Sequence, residues 1–130
     1  MALDFLSMYN DMGIFLLRFA VGFIFLYHSI PKLQKPGNLA KGLGTESMFI
    51  PTSIGFLEFS GGMAIITGAF VRYASFVLAF VMLVALFYKI SKWKTPFSSH
   101  EKTGWEFDFI LFFASIFLLV NGGGSIGLGI

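Results

Sequence analysis

"MGIFLLRFAVGFIFLYHSIPKLQKPG", Met12 to Gly37, begins with a run to Ile30 that only Arg18 and His28 interrupt. A helix of ~20 such residues crosses a hydrocarbon core of ~30 Å. Three further runs follow the same pattern: Thr52 to Phe70, broken by Glu58; Tyr73 to Ile90, with Lys89 near its end; and Trp105 to Asn121, with Glu106 and Asp108 at its start. They are apolar around the whole circumference, as helices surrounded by lipid or by one another are. The spacing predicts an all-α integral membrane four-helix bundle. A single membrane domain fills residues 1–130, with helices near 12–30, 52–70, 73–90 and 105–121.

Composition agrees. Of 130 residues, 56% are hydrophobic and only 12% charged, and the mean hydropathy is +0.81. A soluble domain of this size needs more polar surface. There is no Cys, which removes disulfides, thiolate catalysis and Cys-ligated metal centres from the chemistry of this chain. The formal charge of +2 is small, and its carriers flank apolar runs, so nucleic acid is not an expected partner. The amino terminus carries Asp4 and Asp11 where a signal peptide needs basic residues, and is read as mature protein.

The link "FVRYAS" is short enough to force an antiparallel hairpin between the second and third runs. The other two connections are long and polar, and alternation puts both on one side. They hold Lys32, Lys35, Lys41, Lys89, Lys92, Lys94 and Lys102, against Arg72 alone on the opposite loop. The positive-inside rule then assigns the long loops to the cytoplasm and both termini to the outside of the cell membrane. The tail "NGGGSIGLGI" contains G-x-G-x-x-G, Gly122 to Gly127. A dinucleotide site needs a strand before that pattern and a helix after it, so here it reads as a helix stop and a flexible tail.

Ionisable groups within a membrane span are functional candidates by default. Glu58 lies ~9 Å into its run, beyond the reach of a capping role. It is a structural ion-pair partner, or a group for proton transfer and substrate contact. The row Ser60, Ala64, Gly68 around it reads as a close-packing surface. Lys32 lies one turn after His28, provided the helix survives Pro31, which is expected to kink or end it. Lys32 snorkels or joins a site; His28 bonds at the interface or does chemistry. Arg18 either snorkels or pairs with carbonyls at the end of the fourth helix, such as that of Asn121. "TGWE" reads as a capping box from Thr103 to Glu106, and Asp108 suits the first turn of the same helix. Trp93, Trp105, Tyr27 and Tyr88 read as an aromatic belt. His28, Lys32, Glu58, Lys89, His100, Glu106 and Asp108 all fall on the long-loop side, as a polar mouth over an apolar interior.

These motifs resemble the DoxX family. "LLRFAVGFIFLYHSIPKL" is similar to its first helix, "GFLEFSGGMAIITGAFVRYAS" to its second, and "GWEFDFILFFASIFLLVNGGGSIG" to its last. The resemblance implies a small four-helix membrane protein related to the membrane subunit of thiosulfate:quinone oxidoreductase, and it marks Arg18, His28, Lys32, Glu58, Arg72 and Glu106. Ser29 stands where Gly usually follows the His, Lys89 about where many members have a His, and Ser125-Ile126-Gly127 where Ser-Leu-Asp is common.

The leading expectation is a subunit of a quinone-linked oxidoreductase complex, not a stand-alone enzyme. His28 and Glu58 would relay protons, and Arg18, Lys32, Lys89 and Glu106 would contact substrate. Its partners would be lipids and other membrane subunits. Quinone or quinol is the expected ligand, with no covalent cofactor and no metal; haem between His28 and His100 is disfavoured because His100 lies in a loop. The alternative is a non-catalytic accessory subunit whose polar cluster is structural. A solute or proton carrier has no specific feature to support it.

Overall fold

The computed structural model describes residues 2–130. A 3-10 segment, Asp4–Tyr9, leads into α1, Asn10–Gln34; α2, Pro36–Leu43, α3, Phe49–Thr67, α4, Val71–Phe87, and α5, Trp105–Asn121, follow. A π-helical turn, Tyr88–Lys92, extends α4. No strand occurs among the described residues. Asp4–Gln34, Phe49–Thr67 and Val71–Lys92 are long and apolar enough to cross a membrane. With 17 residues, α5 spans ~25 Å. Among the described residues there are thus five α-helices where four were expected, because α2 forms inside the first long connection.

Proline punctuation explains the extra helix. Pro31 sits inside α1 and does not end it; its carbonyl accepts the Lys35 amide at 2.8 Å. The break comes at Lys35 (φ −134°, ψ 65°), because Pro36 disfavours helical geometry in the residue before it. Pro36 then opens α2 from the first helical position, where its missing N–H costs nothing.

α1 packs along α3 and α4 along α5, and the α3–α4 hairpin joins the two pairs. Gly68 (φ +85°) and Phe70 (φ +51°) make that hairpin's turn. Buried positions recur at three- and four-residue intervals on each long helix: Ile14, Arg18, Val21, Phe25; Pro51, Gly55, Glu58, Gly62; Val71, Ser75, Leu78, Met82; Asp108, Leu111, Ser115, Leu118. The inward stripe carries the small and polar residues, and most large Phe side chains face outward. Lipid solvates Phe as well as a core does, so the interior is selected for close fit rather than hydrophobicity.

Close approach of α1 and α3 rests on Gly22 and Gly62. A Cβ on Gly22 would lie 2.7 Å from the Gly62 carbonyl oxygen and 2.4 Å from Ile66 Cγ1. Of the expected Ser60–Ala64–Gly68 row only Gly68 is buried against a neighbour; Ser60 is exposed and its hydroxyl donates to the Phe56 carbonyl at 2.8 Å. Gly55, Gly61 and Gly62 take that role, because they share the buried face with Glu58.

Candidate functional site

At the end of the bundle bearing the long connections, α1, α3, α4 with its π-helical turn, and α5 surround a cavity of about 490 Å³. That volume is in the range of small-molecule sites. Ile24, Phe25, Ile54, Val81 and Leu111 line it deep in the bundle, and Leu39 and Leu43 of α2 line it nearer the loops. The Trp93 indole N–H donates to the Gly42 carbonyl at 2.7 Å and ties the end of α2 to the segment after α4.

Two cation–carboxylate pairs stand in the wall. Lys32 of α1 donates to Oε1 of Glu58 on α3. Gly55, one turn before Glu58, makes room for this: a Cβ there would lie 3.0 Å from Lys32 Cβ. Lys89 Nζ lies 2.6 Å from Oδ2 of Asp108 on α5. The π-helical turn carries Lys89, and such turns alter side-chain direction within a helix. The Glu58 side chain is fully buried and that of Asp108 is 6% exposed, whereas Lys32 and Lys89 are 25% and 18% exposed. Oε2 of Glu58 is buried and has no hydrogen-bond partner among the described residues. His28, half-buried, lies one turn before Lys32 and places its ring 4.9 Å from that of Phe107.

Of the polar mouth read from sequence, His28, Lys32, Glu58, Lys89 and Asp108 share this cavity. Arg18, Glu106 and His100 do not line it. Glu106 is exposed, and the capping box is not formed. Gly104, not Thr103, precedes the first turn of α5, with no side-chain cap. Backbone carbonyls satisfy that end instead: Pro96 accepts the Trp105 amide at 3.2 Å and Phe97 the Glu106 amide at 3.0 Å. The loop folds over the helix end so tightly that a Cβ on Gly104 would lie 2.2 Å from the Phe97 oxygen. No group of three or more His, Cys, Asp or Glu suited to a metal ion occurs among the described residues.

Arg18 is fully buried at the other end. Its Nε donates to the Ile65 carbonyl at 2.8 Å, Nη2 to Ile66 at 3.0 Å, and Nη1 to Gly123 at 3.0 Å and to Ile126. It does not snorkel. The first two acceptors are carbonyls left over at the end of α3, where the helix dipole favours a cation. The others belong to the tail after α5. That tail was expected to be flexible, but it is tied down. Leu128 N–H donates to Thr67 O at 2.9 Å, Phe70 N–H to Ile130 O at 2.6 Å, and the Ser125 hydroxyl to Asp11.

The DoxX family model matches residues 13–89. The chain belongs to the DoxX family. It is a DoxX-family membrane protein, and the matched span contains Arg18, His28, Lys32, Glu58 and Lys89. Asp108 and the Arg18-binding tail fall beyond the DoxX match. No curated protein and no solved structure matches the chain. Sequence reading gave Asp108 to the helix dipole and to the polar mouth but did not name Lys89 as its partner. The signal was available: Asp108 and Lys89 both lie on the long-loop side, where an intramembrane lysine needs a carboxylate.

Proposed function

We propose that this chain is a membrane subunit of a redox complex of respiratory type, and that its cavity holds a quinone or quinol headgroup. The observation that carries this reading is the cavity itself: about 490 Å³ with a deep apolar lining and, on its wall, His28 and two lysine–carboxylate pairs. An amphiphile with a polar ring and an oily tail matches that division of surface. His28 and Glu58 exchange protons with the ligand, while Lys32 and Lys89 balance charge; the electrons pass to or from a partner subunit. In the same reading α5 is a fourth span, and the four long helices form one membrane domain in the cell membrane. The seven lysines of the long connections, against Arg72 opposite, support cytoplasmic loops and extracytoplasmic termini.

The test is purification in mild detergent, identification of co-purifying subunits, and titration with a short-tailed benzoquinone. Trp93 lines the cavity and reports occupancy through its fluorescence. Saturable quenching that is lost in His28→Ala is expected. A complex that assembles with its partners yet binds neither the quinone nor its hydroquinone overturns this reading in favour of an accessory subunit.

A further inference from the structure

Among the described residues, two carboxylates in the cavity wall have a buried oxygen without a hydrogen bond: Oδ2 of Asp108, which faces the Lys89 ammonium at 2.6 Å, and Oε2 of Glu58. Oε2 of Glu58 is buried with no donor among the described residues, while Oε1 takes Lys32. A buried carboxylate oxygen without a donor is costly, and the cost is relieved only by a group that brings an N–H or O–H. The two lysines have spare donors, but their side chains are partly exposed and neither ammonium is a buried group without a partner. The deficit at this site is therefore for a donor from the ligand. The surrounding rings indicate what carries it: His28, Phe25, Phe80, Tyr88, Trp93 and Phe107 all line the cavity, a setting that suits a flat aromatic headgroup.

We propose that the cavity selects the hydroxyl-bearing, reduced form of its ligand, a hydroquinone-type ring whose O–H donates to Oε2 of Glu58. This rests on the reading of the cavity as a quinone or quinol site and names which of the two it prefers. The oxidised ring presents only carbonyl oxygens. Set against Oε2, a carbonyl opposes lone pair to lone pair and leaves the carboxylate unsatisfied. The same hydroxyl oxygen is free to accept from Lys32, whose ammonium has donors beyond the one given to Oε1.

The experiment is anaerobic titration of the purified full chain in detergent with three probes: a short-tailed hydroquinone, the matching quinone, and the hydroquinone dimethyl ether. The ether keeps the ring and removes both donors. Hydroquinone is expected to bind about tenfold or more tighter than either of the others, the factor that one unsatisfied buried acceptor commands. In Glu58→Gln, which retains the shape and replaces one oxygen with an amide donor, the preference is expected to disappear. Equal binding of hydroquinone and quinone, or a preference that survives Glu58→Gln, overturns the inference and leaves the quinone-site reading in place. Binding of none of the three overturns both.

Discussion

Arg18 and Glu58 are both fully buried charges on facing helices, yet the two ends of the bundle treat them differently. Arg18 has carbonyl acceptors from two separate stretches of chain and the tail packed over it. Glu58 has one lysine, one oxygen left unpartnered, and a cavity beside it. A charge that holds structure together is surrounded by groups that meet its hydrogen-bonding capacity; a charge that meets a ligand keeps part of that capacity free. The contrast marks the Arg18 end as a clamp and carries the proposal that the Glu58 end is a site, although a sequence reading ranks both as intramembrane ionisable residues.

The largest expected effect lies at the clamp. Arg18→Ala strands carbonyls of α3 and of the tail in a medium that cannot hydrate them, and is expected to destabilise the protein by about 3–5 kcal/mol or prevent its accumulation. Thermal unfolding in detergent reads this, and a parent-like melting temperature would remove the clamp from the account. Gly22→Ala comes next, at about 1–3 kcal/mol, because its Cβ meets the Gly62 carbonyl, which cannot rotate away. Gly13→Ala, with nothing within 4 Å of the new Cβ, is the control.

At the site, replacing both partners is expected to differ from removing one. Lys32→Met with Glu58→Leu retains stability to within about 1 kcal/mol of the parent, since apolar substitutes for a buried pair are often neutral. Glu58→Leu alone falls well below the double variant, because Lys32 loses its counter-charge. Ligand binding is absent in both. Similar stability of single and double variants in a mutant cycle would show that the pair is not coupled. The smallest effect is at Glu106: Glu106→Gln is expected to leave melting and ligand titration unchanged, because the side chain is exposed and caps nothing.

Much of the fold was legible because apolar runs of membrane length admit few structures. The positions of the buried faces were harder to read. With apolar residues all around each helix, hydrophobic periodicity has no contrast, and the small and polar residues hold the information instead. Glu58 with Gly55, Gly61 and Gly62 marks one inward stripe, and Arg18 with Gly22 and Ser29 marks another. The choice of Ser60, Ala64 and Gly68 failed at Ser60, which faces outward, because spacing alone cannot say which of two small-residue rows turns inward. In the cavity wall, Glu58 was singled out by its depth in an apolar run, and His28, Lys32, Lys89 and Asp108 by their place on the long-loop side. Their pairing was not, because Lys32 with Glu58 and Lys89 with Asp108 depend on how α1 meets α3 and α4 meets α5.

By itself the sequence determined an all-helical chain with membrane-length apolar segments, the tight hairpin between α3 and α4, and a concentration of charge toward the long-loop side. Those follow from local physics: hydrocarbon thickness, the helical rise, and the cost of burying an unpaired charge. Only the tertiary structure decided that α1 continues through Pro31, that the glycine-rich tail closes over Arg18, and that Glu58 retains an unpartnered oxygen beside a cavity. Each depends on contacts between residues far apart in the chain. Arg18 and Ile126 are partners only after the helices have packed.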